Sequence, residues 1–247
     1  MLHIKDSQKL FEFTSYFNNS TQAISNLINI FSVFSSKSIT RDIFGFKTKG
    51  YSYTNLLQML ILMPFLGAKN IHKVFSSHYQ VFYKGKKDCL YDTLRDSNIN
   101  WRRLLVNFAK RFIKKVNENS ISECLTYFIV DDSDMEKSTP FFECLSRVFN
   151  HVSHTHVFAY KVLTLGYSDG KSFIPLDFSL HNEKGKKKNY GLTSKQRKEQ
   201  YKKDRNPASH GAKRKREMRT KKGKSLIKMI KRSVNHGIIA KYLLTDS

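Results

Sequence analysis

Leu125-Thr126-Tyr127-Phe128-Ile129-Val130-Asp131-Asp132-Ser133-Asp134 is an apolar run, rich in β-branched and aromatic residues, that passes directly into three acids within four positions. An uninterrupted apolar stretch of this length is the signature of a strand covered on both faces. The acids need a second explanation. In a chain of formal charge +24 they crowd like charges together, which is costly without a cation to neutralise them. The reading therefore places a central strand at Leu125–Val130 and a charged site at its C-terminal end.

Upstream of this run the periodicity is different. Residues 7–117 carry apolar side chains at three and four spacing, as in Phe11, Phe13 and Phe17 and again in Ile24, Leu27, Ile28, Phe31 and Phe34. The segment Asn98–Val116, NINWRRLLVNFAKRFIKKV, predicts an amphipathic helix with Leu104, Phe108, Phe112 and Val116 on one stripe and basic residues elsewhere. The polar stretch Glu118–Ser122 ends the helical pattern, so a boundary is expected near 120. Residues 1–120 then form a helical domain with a basic surface suited to DNA, and 121–247 a second domain.

Downstream, His156–Gly166 and Ser172–Ser179 flank Asp169-Gly170, the turn dipeptide of a hairpin. Ser225–His236 has helical spacing, Gly237 is placed to end that helix, and Ile238–Thr245 again reads as a buried strand running into Asp246. The expected fold class is α/β in the α+β sense, with a helical N-terminal domain followed by a mixed sheet. A strand that returns through a helix runs parallel to the first, which makes the ends at Asp131 and Asp246 neighbours.

Between the hairpin and the last helix lies a basic insertion, 183–224, with clusters at Lys186-Lys187-Lys188, Lys202-Lys203 and Lys213-Arg214-Lys215-Arg216. Extended to 232 it holds 21 Lys and Arg against 4 Asp and Glu, most of the charge of the whole chain. Charge concentrated in this way points to a polyanion, DNA before a membrane, because no Trp, Phe and Leu face alternates with the lysines. These nine basic residues are the candidate DNA contacts. Tyr190 and Tyr201 sit among them without a spacing that demands base stacking.

Three cysteines without CxxC spacing, Cys89, Cys124 and Cys144, suit a reducing cytoplasm rather than a disulfide framework. The longest apolar run, Leu56–Leu66, is too short to span a bilayer. His151, His154 and His156 make an HxxHxH cluster, but no Cys or acid stands at a spacing that completes a zinc site. Asp177 and His181 are placed to orient a metal ligand or simply to edge a hairpin.

Carboxylates at adjacent strand ends select hard divalent cations, Mg²⁺ or Mn²⁺, and so suggest phosphoryl transfer. FIVDDSDMEK, the stretch RVFNHVSHTHVFAYKVLTLGYSDGKSFIPLDFSLH and the later YLLTDS resemble the DDE superfamily of bacterial insertion-sequence transposases, in particular the insertion-sequence-four-like groups. The resemblance covers roughly 125–247 and implies a ribonuclease-H-like catalytic domain. It places the first catalytic and metal-binding acid at Asp131, with Asp132 the alternative, and the second at Asp246. It also implies two metal ions in a complete member, transposon ends and target DNA as partners, a dimer on paired ends, and a bacterial cytoplasmic, nucleoid-associated location. The family's third acid, a Glu on a later helix, has no counterpart within residues 1–247, so the expectation is an N-terminal part of a transposase that is inactive alone. Two other readings fit the same residues: a different ribonuclease-H-like nuclease, and a basic nucleic-acid-binding protein without catalysis.

Overall fold

The computed structural model describes residue 15 and residues 21–34, 37–45, 50–65, 67, 70–75, 85–118 and 125–245. The phenylalanine stripe at 11–17, Cys124 and Asp246 lie outside these described residues. The chain divides into two compact units between Ile99 and Asn100.

The first unit is helical. Helices α1 (Thr21–Phe34), α2 (Lys37–Phe44), α3 (Tyr53–Phe65), α4 (Ile71–Phe75) and α5 (Lys87–Arg95) gather around a core of Ala23, Leu56, Met59, Leu62, Ile71, Val74 and Leu90. Leu27 and Ile28 pack against that core, as the periodicity of the segment requires.

The second unit is mixed α/β, built on a five-stranded mixed sheet. It begins with helix α6 (Trp101–Glu118), continues through β1 (Tyr127–Glu136), β2 (Ser146–Asn150), β3 (Thr155–Ser168) and β4 (Phe173–His181), and then through helices α7 (Ser194–Glu199), α8 (His210–Glu217) and α9 (Lys222–Asn235) to β5 (Tyr242–Thr245). β3 pairs antiparallel with β1 on one side and with β2 and then β4 on the other, while β5 pairs parallel with β1. The β3–β4 hairpin turns where the sequence places it. Gly170 takes φ +85, and the Asp169 carboxylate accepts from the backbone N–H groups of Lys171 and Ser172.

Four features differ from the sequence reading. The period changes near 120, but the units part at 99/100, because α6 packs on the sheet of the second unit. Its buried stripe is Leu104, Val106 and Ala109 rather than one through Phe108, Phe112 and Val116. β1 does not end at Val130 but runs on to Glu136 beside the long β3, so Asp131 and Asp132 sit mid-strand. Finally, only Tyr242–Thr245 of the expected 238–245 strand joins the ladder. The Gly237 turn at φ +78 first folds Ile238 back to Ser233 and into the core.

Strand alternation then sorts β1. Phe128 and Val130 join Leu163, Leu165 and Tyr167 in a core with Val106 and Ala109 of α6 and Met229 of α9. Asp132 and Asp134 share that helix-covered face, and Asp131 and Ser133 belong to the opposite one.

Candidate functional site

The β1 acids differ in their partners. Asp131 is exposed and accepts a hydrogen bond from Ser133 Oγ at 2.9 Å, two residues along the same face. On the other face Asp132 is ion-paired with Lys222 at the start of α9. Asp134 is ion-paired at 2.7 Å with Lys161, its direct cross-strand neighbour on β3, and both are nearly buried. Lys161 in turn stands opposite His181 on β4. Burial, and after it the Lys222 charge, lower the pKa of His181 below its ordinary range.

The parallel ladder pairs Tyr127 with Tyr242 and, at its last described step, Val130 with Thr245. The two tyrosine rings stack at 5.6 Å. Asp131 is thus the first β1 residue beyond the end of described β5. Among the described residues no group of three or more His, Cys, Asp or Glu side chains could hold a metal ion. What the described residues offer a hard cation is the exposed Asp131 carboxylate with the Ser133 hydroxyl beside it, a pair of oxygen donors suited to Mg²⁺ or Mn²⁺. Asp132 is the poorer donor, since an ammonium already occupies its carboxylate.

The basic insertion is ordered around acids that sequence reasoning passed over. Thr193 closes a capping box with Gln196 at the start of α7, and Ser209 caps α8. Gln200 donates to the carbonyls of Pro140 and Leu145. Leu192, Ala212 and Met218 are buried. Glu143 takes a bidentate hold on Arg205, at 2.9 and 2.5 Å, and a third contact from Lys215 at 2.8 Å. Burial pushes the Glu143 carboxyl up, but these contacts and the Lys203 backbone N–H outweigh it and hold it at about 2.

A second cluster ties four elements together. Asp177 on β4, 3% exposed, binds Arg102 of α6 at 3.3 Å and Arg232 of α9 at 2.6 Å. Glu217, 7% exposed at the end of α8, pairs with the same Arg102 and approaches Arg232 at 3.9 Å. Asp177 thus lies on β4, which among the described strands pairs with β3 alone, and its carboxylate is taken up by the two arginines. Burial pushes its carboxyl up while Arg232 and Arg102 pull it back.

The nine basic candidates do not form one surface. Lys213, Arg214 and Arg216 line a cavity of about 670 Å³ together with Arg102, Arg103 and Lys228. Lys215 turns to Glu143 instead. Lys186 and Lys187 line another cavity with Arg147 and Phe149, and the adjacent Lys188 takes φ +53. Lys202 is exposed, and Lys203 is tied by its backbone to Glu143. Arg102 and Arg103 belong to the basic side of the 98–116 helix, but their convergence with Lys228 and Arg232 depends on how α6 and α9 pack.

His151 and His156 pack their rings edge-on against Phe149, at 5.1 and 5.3 Å, and His154 lies tilted against it at 6.5 Å. No family model, curated protein or solved structure matches the chain. Its chemistry therefore rests on the residues themselves. Cys89 and Cys144 are free thiols. Among the described residues no helix is long and apolar enough to cross a membrane.

Proposed function

We propose that the chain belongs to a DDE-type, ribonuclease-H-like DNA transposase, with Asp131 and Asp246 as the metal-binding acids of its cut-and-join site. The observation that carries the reading is the parallel pairing of β1 and β5, which runs in register to Val130 and Thr245. Asp131 is the β1 residue that follows Val130, and Asp246 is the residue that follows Thr245 in the chain, which is what supports assigning the two acids to one site. Asp132, on the other face and paired with Lys222, is the weaker candidate.

Two bound Mg²⁺ or Mn²⁺ ions would activate the attacking water or hydroxyl and stabilise the leaving oxygen of the DNA strand. The chain's own part is to present carboxylate oxygens on a rigid strand, with Ser133 orienting Asp131. The ordered basic insertion supplies attraction for the phosphate backbone, and a dimer on paired transposon ends in the bacterial nucleoid belongs to the same reading. The order of the sheet supports it: β4, β3, β1 and β5 lie side by side with β5 returning through a helix.

A nucleic-acid-binding role without catalysis is the second reading, favoured by the seven Lys and Arg that line one cavity. Metal-directed backbone cleavage separates the two. Fe²⁺ bound in place of Mg²⁺, with ascorbate as reductant and dissolved oxygen as oxidant, should cut the chain close to residues 131 and 246, as read by mass spectrometry, and Asn at either position should suppress both cuts. Cleavage elsewhere, or none, would favour binding alone.

A further inference from the structure

The cavity between α6, β4, α8 and α9 is lined by seven Lys and Arg against two acids, Asp177 and Glu217. Those two acids are already engaged. Each Asp177 oxygen meets an arginine, Arg102 at one side and Arg232 at the other, and Glu217 pairs with Arg102 and faces Arg232. The described lining therefore carries more positive than negative charge, with Arg103, Lys213, Arg216 and Lys228 exposed along it.

Two groups of the lining respond to burial and to this charge. Burial and the charges of Lys213, Arg214 and Arg103 push the His210 imidazole below its ordinary pKa. Burial, with Arg102 and Arg205, does the same to Arg214. A cavity that keeps cations together against their repulsion is built for an anion, and guanidinium forks with ammonium groups match phosphate oxygens. Its arginines are also held in place. Arg102 is fixed by Asp177, by Glu217 and by a 2.9 Å bond to the Phe178 carbonyl, so the wall of the site is rigid before any ligand arrives.

We propose that this cavity is a phosphate-binding site that takes the backbone of a nucleic-acid strand. The identity of the ligand as a strand rests on the nucleic-acid reading above, whereas the site itself does not. Lys213 and Lys228 are exposed and enter from different helices, α8 and α9, so they grip a phosphate at the rim while the half-buried Arg102, Arg214 and Arg232 set the floor.

The test uses the full chain and two probes, a short DNA duplex followed by fluorescence anisotropy and inorganic pyrophosphate followed by the His210 ring resonances. Lys213→Gln/Lys228→Gln removes two rim charges outside the buried ion-pair network. Lys224→Gln/Lys231→Gln removes two from α9 that do not line the cavity. The rim variant is expected to bind duplex roughly tenfold more weakly, with a salt slope smaller by about 2, while the control changes less than about twofold. In the wild-type chain pyrophosphate should raise the His210 titration midpoint, and in the rim variant it should not. Equal losses in the two variants, or a His210 resonance indifferent to both probes, would overturn the proposal. A His210 response to pyrophosphate without duplex binding keeps the phosphate site, assigns it to a free phosphate compound, and removes the nucleic-acid reading instead.

Discussion

Two kinds of carboxylate stand apart in the second unit. Asp177, Glu217 and Glu143 are shielded and each is held by two cations, Arg102 with Arg232 for the first two and Arg205 with Lys215 for the third. Asp131 stands exposed on β1 with a neighbouring hydroxyl. The first kind fastens helices of the basic region to the sheet. The second costs the fold little and keeps its oxygens available, as a ligand for a cation must. Acids in a basic protein are thus sorted by burial and partner, not by their place in a motif.

The sharpest way to break this comparison is to neutralise one acid of each kind. Glu217→Gln leaves Arg102 and Arg232 with one carboxylate between them in a buried setting, and chemical denaturation should register a loss of about 3 kcal/mol. Asp131→Asn should stay within about 0.5 kcal/mol. Similar losses from both substitutions would erase the distinction.

Glu143 sharpens the comparison through pH. Its folded pKa of about 2 lies below the ordinary 4.5, so its contribution is complete above pH 4.5 and is lost as the pH falls toward 2. Glu143→Gln should cost on the order of 2 kcal/mol at neutral pH, since a pKa unit is worth about 1.4 kcal/mol and the nearby solvent screens part of it. Thermal melts across that pH range should show a smaller acid-induced decline in the variant than in the wild type.

Gly191 gives a smaller loss than either ion-paired acid. It holds φ +67, and an added Cβ would lie 2.8 Å from the Arg147 Cβ and 3.1 Å from the Arg147 carbonyl oxygen. Gly191→Ala should cost about 1–2 kcal/mol by strain and loosen the Lys186–Lys188 segment, without touching the Glu143 or Glu217 contacts. A melt unchanged from wild type would show that the segment contributes nothing to the order of the basic region.

Much of the sheet is legible in the sequence. LTYFIV, the Asp169-Gly170 turn and the 225–236 helical spacing each carry a local signal, and all three appear where those signals lie. β2 is absent from the sequence reading, because SRVFN is short and is followed by the polar stretch His151–Thr155, which reads as a turn. The continuation of β1 through Asp131–Glu136 is equally hidden, since a run of acids opposes strand propensity and is kept extended by pairing with β3 and by the Lys161–Asp134 contact.

The candidate site follows the same pattern. Asp131 is visible as an acid after an apolar run. The division of Asp131 from Asp132 between two faces needs the knowledge that the strand continues. The basic clusters at 186–188 and 213–216 are plain in composition, whereas the Arg102–Asp177–Arg232–Glu217 network joins residues from four elements and has no sequence signature. Side-chain convergence at long range is what a linear reading cannot supply.

On the proposed reading Asp131 and Asp246, not Asp132, hold the divalent cation. Calorimetric titration of Mn²⁺ into the full chain and into Asp131→Asn, Asp246→Asn and Asp132→Asn tests it most directly. The account predicts at least tenfold weaker binding for the first two variants and less than about threefold for the third, tenfold being about 1.4 kcal/mol. Undiminished binding in Asp131→Asn with a loss in Asp132→Asn, or no Mn²⁺ binding by the wild-type chain, would contradict it.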